Sequence, residues 1–296
     1  MTLSNELSIF VCTCDSYEDL WDPFFFLISK YWNLQDYQII LNTETKNYNY
    51  MGLDISTHPR KTKRYGERFL YNLNFIKMQY TLLLLDDFFI RRNVDEKEIL
   101  SIVNFMNNNP DVAAVCFNEN AYSCDDGKLP GYSRINRFAP YKLNMQAGIW
   151  RTSTLKSLWK NNDNPWRWEI FVNFCVLNNN YVFYSINDYE KSPIYYGYKT
   201  DGMGVYRGKW VVDDVDPLFK KHGIEIDYTI RGIYKKSEEA QRLPLFKSML
   251  YALTRIPFKY FIGFSFFETK RRIKKFFTKN KDDLSYIEYL SRRKKK

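Results

Sequence analysis

Tyr80-Thr-Leu-Leu-Leu-Leu85, followed at once by Asp86-Asp87, is the stretch that decides the fold. It lacks the polar alternation of a half-exposed strand, so it predicts a strand over residues 80–85 that is buried on both faces. Such strands lie inside parallel sheets, which helices cover on both sides. The two adjacent carboxylates stand at the carboxyl end of the strand, where open α/β sheets bind their ligands.

Strands and helices alternate along the rest of the chain. Further strands are predicted at residues 7–14, 37–41, 112–117 and 181–186. Helices are predicted at about residues 18–32, 65–77, 95–107, 152–159 and 165–177. Residues 118–140 are rich in Asn, Asp, Gly and Tyr and are predicted as a loop region. This order predicts an α/β domain with a mainly parallel sheet flanked by helices.

The positive charge of the chain is concentrated at one end. The 296 residues carry a net charge of +10, but residues 242–296 hold 16 Lys and Arg against 4 Asp and Glu. The remaining residues hold 28 basic side chains against 30 acidic ones. We therefore expect a catalytic-sized domain at 1–241 and a basic extension at 242–296. Such an asymmetry is typical of contact with a polyanion, either nucleic acid or an anionic membrane surface.

Residues 243–277 of this extension predict amphipathic helices. Their longest charge-free stretch, residues 260–267, is far shorter than the roughly 20 residues that cross a bilayer. Lys247, Arg255 and Lys259 are spaced for one helical face, and the mixture of Phe, Leu, Lys and Arg fits helices that lie in a membrane interface. Helices packed on the main domain with a solvated basic face are the alternative.

The cysteines and the first residues bear on the compartment. No pair among the 5 cysteines has the CxxC spacing of a metal knuckle, so free thiols in a reducing compartment are expected. Residues 1–6 lack the basic region of a secretory signal. Together with the basic extension, this predicts a cytoplasmic protein that is peripheral on the inner membrane face.

Asp86 and Asp87 are the strongest candidates for chemistry. Two acids after a wholly apolar strand are costly to bury unless a cation or hydrogen-bond donors meet them. A divalent metal that bridges phosphates binds such hard oxygen ligands. The alternative is a polar strand exit whose acids cap the following loop.

A second motif, Asn-Pro-Trp-Arg-Trp-Glu at residues 164–169, combines aromatic rings with an acid. Trp166 and Trp168 are candidates for stacking on the apolar faces of a sugar. Glu169 is a candidate for the base that takes a proton from an attacking hydroxyl. An acid in a first helical turn also has a purely electrostatic explanation.

Three further groups are candidates for contacts to a nucleotide. Arg207 and Lys209 follow flexible glycines and are candidates for clamping a diphosphate, although a surface turn has the same pattern. Thr13 and Asp15 follow the first strand, where they either bind a base or ribose or cap the next helix. Arg68, on the helix before the acidic strand, is a candidate for facing the same crevice.

Several function classes are disfavoured by what the sequence lacks. It has no Gly-Lys-Ser/Thr phosphate loop and no His-Glu-x-x-His, and its 2 histidines disfavour a histidine-based centre. His222 precedes Gly223 in a pattern typical of a helix end. A sugar nucleotidyltransferase, an alternative, normally has a Gly-rich, Arg-containing loop after the first strand, and residues 12–17 lack one. A nucleic-acid-binding protein would explain the basic extension but not the acidic pair, so nucleic acid is not the expected partner.

Taken together, these motifs resemble the GT-A glycosyltransferases of bacterial capsule and O-antigen gene clusters. The resemblance covers residues 7–231 and rests on the order of five motifs. These are a strand ending in Thr-Cys-Asp, then Leu-Leu-Leu-Leu-Asp-Asp-Phe-Phe, Met-Gln-Ala-Gly-Ile-Trp at 145–150, Asn-Pro-Trp-Arg-Trp-Glu, and Arg-Gly-Lys-Trp at 207–210.

The resemblance implies a Leloir enzyme that transfers a sugar from a nucleotide-diphosphate donor, a UDP-sugar being favoured, to a lipid-linked glycan. Asp86 and Asp87 stand where the family has its Asp-x-Asp motif for Mn²⁺ or Mg²⁺. Glu169 resembles the base of inverting members, and Arg207 and Lys209 would face the diphosphate. The chain departs from the pattern at Phe88, which stands in the third position of the motif and leaves the need for a metal open.

Overall fold

The computed structural model describes residues 2–235, apart from residues 138, 140, 173–175, 177–178 and 198–202 and the side chains of residues 166, 170 and 171. The basic extension predicted at 242–296 lies outside the described residues. The described part of the chain contains no helix with the length and hydropathy of a membrane span.

A nine-stranded sheet forms the centre of the described chain. Its strands are β1 (Leu7–Cys12), β2 (Ile39–Asn42), β3 (Ile55–Thr57), β4 (Tyr80–Leu85), β5 (Val112–Cys116), β6 (Ser123–Cys124), β7 (Tyr132–Ile135), β8 (Gly148–Arg151) and β9 (Val182–Ile186). Two short strands, β10 (Val205–Tyr206) and β11 (Lys209–Trp210), form a separate hairpin. The helices are α1 (Trp21–Tyr31), α2 (Tyr65–Leu73), α3 (Glu96–Asn108), α4 (Thr152–Leu158), α5 (Pro165–Arg167) and α6 (Val212–His222).

The sheet is mixed but mainly parallel, which confirms the predicted fold class. Its strand order is β3-β2-β1-β4-β8-β5-β9-β7-β6. β1 pairs in parallel with both β2 and β4, whereas β8 runs antiparallel to its neighbours β4 and β5. Because β8 is reversed, its first residue, Gly148, lies opposite Leu83 and Cys116, near the carboxyl ends of those strands.

Helices cover both faces of β4, as its apolar sequence predicts. Leu82 and Leu84 belong to a cluster with apolar residues of α1 and α3. Leu83 points to the opposite face and belongs to a second cluster with Phe69 of α2 and Leu155 of α4. β4 therefore lies in a buried part of the sheet.

Several boundaries differ from the sequence prediction. The region 118–140 contains β6 and β7 and is not wholly loop, because these short strands add onto the edge of the sheet beyond β9. The helix predicted from residue 18 begins at Trp21, since Asp15–Leu20 forms a 3₁₀ turn. The helix predicted at 165–177 is, in its described part, the single turn α5 followed by a π turn at Trp168–Val172. His222 does end a helix, and Gly223 closes it with a φ of 66°.

Candidate active site

The acidic pair lies where β4 leaves the sheet, beside the end of β1. The Asp86 N–H donates to the Cys12 carbonyl oxygen at 3.4 Å, so the β1–β4 ladder continues to the first of the two acids. Asp86 is only 3% exposed, and its Oδ2 accepts a hydrogen bond from the Thr13 hydroxyl. The Trp21 indole N–H donates to that same hydroxyl at 2.8 Å. Thr13 and Asp86 each follow the end of a strand in the sequence, and the structure brings their side chains together.

The environment of the pair disfavours two bare negative charges. Burial raises the pKa of Asp86 well above its usual range, and the neighbouring charge of Asp87 raises it further. Burial also raises the pKa of Asp87, which is half-buried, while the guanidinium of Arg231 lowers it. A cation bound at this edge would relieve the burial cost of both carboxylates.

Arg68 and Asp15 hold the loop that follows β2. Arg68 is 2% exposed; its Nη1 donates to Glu44 Oε1 at 2.5 Å and its Nη2 donates to the Thr13 carbonyl oxygen at 3.1 Å. Asp15 Oδ1 accepts from the Glu44 N–H at 2.7 Å, and Oδ2 accepts from the Thr45 N–H at 2.9 Å. Both predicted residues lie at the expected edge, and in this structure their side chains join the ends of β1 and β2.

Polar residues at the end of β2 were missed by the sequence analysis. Asn42 and Thr43 are fully buried, and the Asn42 amide and the Thr43 hydroxyl have no hydrogen-bond partner among the described residues. Asn42 lies opposite Cys12, which is the residue before Thr13. The available signal was the abrupt change from Ile-Ile-Leu to Asn-Thr-Glu at residues 39–44, which mirrors the polar exits of β1 and β4.

Arg231 is a second residue that the sequence analysis did not single out. Its Nε donates to Asp19 Oδ2 at 2.8 Å and its Nη2 to Asp19 Oδ1, with a further bond from Nη2 to the Ser16 carbonyl oxygen at 2.9 Å. Its Nη1 donates to the Gly208 carbonyl oxygen at 3.3 Å, and the guanidinium lies over the ring of Tyr17. One buried side chain therefore joins the turn after β1 to the β10–β11 hairpin, beside Asp87.

The β10–β11 hairpin carries Arg207 and Lys209 and is attached to the acidic pair through its main chain. The Gly204 N–H donates to the Asp87 carbonyl oxygen at 2.7 Å. Arg207 and Gly208 form the tip, with φ values of 53° and 78°, as two-residue hairpin turns require. Arg207 is exposed, and its guanidinium lies over the ring of Tyr206; Lys209 is half-buried. The structure brings this hairpin to Asp87 but shows no contact between the Arg207 guanidinium and the carboxylates.

Glu169 lies near the same edge of the sheet, because it hydrogen-bonds to the segment that leads into the reversed strand β8. The Asn164 side chain caps α5 by accepting from the Arg167 N–H at 2.9 Å, and Glu169 follows in the π turn. Glu169 Oε1 accepts from the Met145 N–H at 2.8 Å, and Met145 precedes β8. The half-buried carboxylate is thus held next to the segment that enters β8 near the end of β4.

The two tryptophans of the second motif have different outcomes. Trp168 is fully buried and stacks on Trp159 at a centroid distance of 5.0 Å, with Trp150 at 5.3 Å. Its expected stacking on a sugar is therefore wrong for this structure, because the ring is fully buried among other side chains. The side chain of Trp166 lies outside the described residues.

The acidic pair fits a metal that is shared with a substrate and not one held by the protein alone. The described residues contain no group of three His, Cys, Asp or Glu side chains that could hold an ion. Mg²⁺ and similar ions are often bound by one or two carboxylates together with substrate phosphates. Asp87 offers such a carboxylate, since Asp86 already accepts the Thr13 hydrogen bond.

Comparisons with known proteins give low similarities. No family model and no curated protein matches the chain. It is similar to S. aureus TarS 1–349 in complex with UDP, at 10% identity over 62% of this chain and 58% of that one, with a TM-score of 0.45. The complex of the same TarS chain with UDP-GlcNAc gives 10% identity, 62% and 56% coverage, and a TM-score of 0.42. A cytidylyltransferase from Leptospira borgpetersenii gives 14% identity, 78% and 99% coverage, and a TM-score of 0.37. The chain thus spans less than two thirds of TarS 1–349.

Proposed function

We propose that the chain is a glycosyltransferase that takes a sugar from a nucleotide-diphosphate donor. The observation that carries the proposal is the acidic pair at the end of β4, in which the buried Asp86 accepts a hydrogen bond from Thr13 at the end of the neighbouring parallel strand and Asp87 is half-buried beside it. This is the edge at which open α/β sheets bind ligands, and the burial of Asp86, with the half-buried Asp87 beside it, favours a cationic or phosphate-bridging partner. A UDP-sugar is the favoured donor.

The nucleoside would bind at the ends of β1 and β2. Thr13, Asp15 and Arg68 define this edge, and Asn42 adds an amide that has both donor and acceptor capacity unused among the described residues. Buried polar groups of this kind normally meet a partner. A base or ribose is the partner that fits a site next to a diphosphate.

The diphosphate would lie between Asp87 and the β10–β11 hairpin. Asp87, with Asp86 beside it, would hold Mn²⁺ or Mg²⁺, and a bound ion would neutralise charge on the diphosphate. Arg207 and Lys209 lie on the hairpin that bonds to the Asp87 main chain, which supports the proposal that their cations meet the same phosphates. Their role is to stabilise the negative charge of the leaving nucleoside diphosphate.

Glu169 is the proposed base. Its carboxylate would take the proton of an acceptor hydroxyl, whose oxygen then attacks the anomeric carbon as the bond to the diphosphate breaks. The electron pair leaves with the diphosphate, and attack from the opposite side inverts the anomeric centre. Glu169→Gln keeps the hydrogen bond from the Met145 N–H but removes the basic oxygen, so we expect donor binding to persist while turnover falls by 10²-fold or more, on the order expected for a general base.

The acceptor is proposed to be a lipid-linked glycan of surface polysaccharide synthesis, at the inner face of the membrane. The basic residues of 242–296 support this proposal, since about 1 kcal/mol per Lys or Arg is available near an anionic surface. The basic extension would then bring the site to its lipid-linked substrate.

Thermal stability against nucleoside diphosphates and their sugars, with Mn²⁺ or with EDTA, tests the proposal. A ligand at 100 times its dissociation constant adds about 2.7 kcal/mol to the stability of the folded state. We expect a shift with one nucleotide in the wild type, a lost or much smaller shift in Asp87→Asn, and a normal shift in Asp188→Asn, which changes an exposed acid outside the site.

Two other outcomes would redirect the assignment. A shift with a nucleoside triphosphate and release of pyrophosphate in the presence of a sugar phosphate would indicate the nucleotidyltransferase. No shift with any nucleotide, in a protein that melts cooperatively, would contradict the donor site.

A further inference from the structure

A cleft of about 410 Å³ lies outside the candidate active site, between the beginning of α1 and the segment that follows α6. Four carboxylates of the described residues line it, those of Asp19, which is paired with Arg231, and of Asp22, Glu225 and Asp227. Its other walls are mostly apolar and include Phe26 of α1 and Ile230, which is 69% exposed. The cleft is thus both acidic and apolar.

No lysine or arginine is among the described residues that line this cleft. Among the described lining residues the one basic side chain is His222, which shares a hydrogen bond of 2.9 Å with the Tyr31 hydroxyl and whose pKa is lowered by burial. It is therefore mostly neutral at pH 7. The Thr229 hydroxyl and N–H hydrogen-bond to Asp227 and lower its pKa, so this carboxylate is ionised. The occupant that fits these walls carries cationic groups on an apolar body.

The chain itself contains a segment of that chemistry, close to the cleft in sequence. Residues 243–277 combine Phe, Leu and Ile with Lys247, Arg255, Lys259 and further basic residues. Ile230 lines the cleft only five residues before Lys235, the last described residue. The eight residue steps from Lys235 to Leu243 reach on the order of 25 Å when extended, which is enough to bring the segment back to the cleft.

We propose that the basic segment 243–277 binds in this acidic cleft of its own chain. Glu225 and Asp227 would pair with lysine and arginine side chains, and apolar residues of the segment would cover Phe26 and Ile230. The proposal concerns a surface apart from the acidic pair, so it stands or fails independently of the proposed transferase activity.

Zero-length carbodiimide cross-linking of the full-length protein, read by peptide mass spectrometry, tests the proposal directly. The reagent joins carboxylates to lysine amines that lie in contact. We expect Glu225 and Asp227 to cross-link to Lys247 or Lys259, with yields that fall severalfold at 0.5–1 M salt because screening weakens exposed pairs. Asp188 and Glu190, two exposed acids that do not line the cleft, are the internal comparison.

Matched variants distinguish the effect of the cleft carboxylates from the effect of a change in net charge. E225Q together with D227N should speed amide hydrogen exchange across residues 223–230, as should K247Q with R255Q and K259Q. D188N with E190Q makes the same charge change elsewhere and should leave that exchange unaltered. E225K with K247E reverses the pair and should restore a cross-link between positions 225 and 247.

Three outcomes would overturn the proposal. The proposal is wrong if Glu225 and Asp227 form cross-links no more often than Asp188 and Glu190 do. Unchanged hydrogen exchange in both sets of variants would also contradict it. Cross-links found only between chains, in a mixture of ¹⁵N-labelled and unlabelled protein, would assign the cleft to the segment of a second copy.

Discussion

Trp168 packs against Trp150 and Trp159 although its neighbours in sequence, Arg167 and Glu169, are charged. The motif alone does not separate a sugar platform from a core ring, because the two functions use the same residue type and differ only in exposure. The π turn decides the matter, since it turns Trp168 inward while Glu169 reaches the Met145 main chain. No periodicity in the sequence predicts such a turn.

Trp168→Ala should therefore destabilise the fold. Removal of a fully buried indole leaves a cavity and costs about 3–5 kcal/mol, and Trp168→Phe should cost less because a ring remains. Urea unfolding followed by circular dichroism measures both. If Trp168→Ala unfolds like the wild type, the ring is not part of the core.

Arg231 and Asp19 form a pair whose partners lie far apart in sequence. Arg231→Met should leave the Asp19 carboxylate without its partner and cost roughly 2–4 kcal/mol, since a broken buried ion pair costs more than the pair contributes. Arg231→Lys should recover only part of this loss, because one ammonium cannot replace the guanidinium bonds to Asp19, Ser16 and Gly208. Adding Asp19→Asn to Arg231→Met should lower the cost again, and strict additivity in denaturant unfolding would exclude a direct coupling.

Lys142 gives a prediction for pH. It is 2% exposed, its Nζ donates to the Arg137 carbonyl oxygen at 2.5 Å, and burial lowers its pKa from 10.5 to about 7. Between pH 7 and 10.5 the unfolded chain binds this proton more tightly than the folded chain, so the contribution of Lys142 to stability rises with pH across that window. Lys142→Met should be more stable than the wild type by roughly 1–3 kcal/mol at pH 7, with a difference that shrinks towards pH 10.

Urea unfolding at pH 7, 8, 9 and 10 measures this difference. Lys128→Met, at an exposed position, is the matched control and should show no such trend. If the difference in the free energy of unfolding between Lys142→Met and the wild type stays constant with pH, the pKa of Lys142 is not lowered.

At the scale of elements, the sequence predicts what is regular and misses what is short or reversed. β1, β4 and β5 are apolar runs bounded by polar residues, and the ends of parallel strands meet at one edge, so Thr13 and the acidic pair were predictable together. β8 is only four residues long, and nothing in its sequence shows that it runs against β4. Arg231 was missed for a related reason, since its partner Asp19 lies over two hundred residues away.

The hairpin that carries Arg207 and Lys209 depends on the close packing of Gly204 against Phe89 and the Asp87 main chain. A Cβ on Gly204 would lie 2.3 Å from the Phe89 ring and 3.1 Å from the Asp87 carbonyl oxygen. Gly204→Ala should therefore push the hairpin from Asp87, cost about 1–3 kcal/mol and weaken nucleotide binding. Thermal shift with and without nucleotide measures both effects.

Phe89→Leu provides the control for that prediction. It removes the ring atoms that meet the new methyl group, so Gly204→Ala should cost less in the Phe89→Leu background than in the wild type. An equal loss of stability in both backgrounds would show that the new methyl group does not clash with the Phe89 ring.

At the scale of the whole molecule, the charge asymmetry gives a prediction about surfaces. The wild type should pellet with vesicles that contain phosphatidylserine and should stay in solution with phosphatidylcholine alone, and binding should weaken as salt is raised. K247Q with R255Q and K259Q should reduce pelleting. The same side chains cannot meet lipid phosphates and the cleft carboxylates at once, so anionic vesicles should lower the cross-links to Glu225 and Asp227.

The reversed strand β8 also has a consequence for how the chain folds as it is made. Strands β1 to β4 are complete by Leu85, but the strand that pairs with the free side of β4 ends at Arg151. At a synthesis rate of about 5–20 residues per second, the apolar strand β4 keeps an open hydrogen-bonding side for several seconds. An open apolar edge recruits other unfinished chains, so nascent chains that stall before residue 148 should aggregate or require a chaperone.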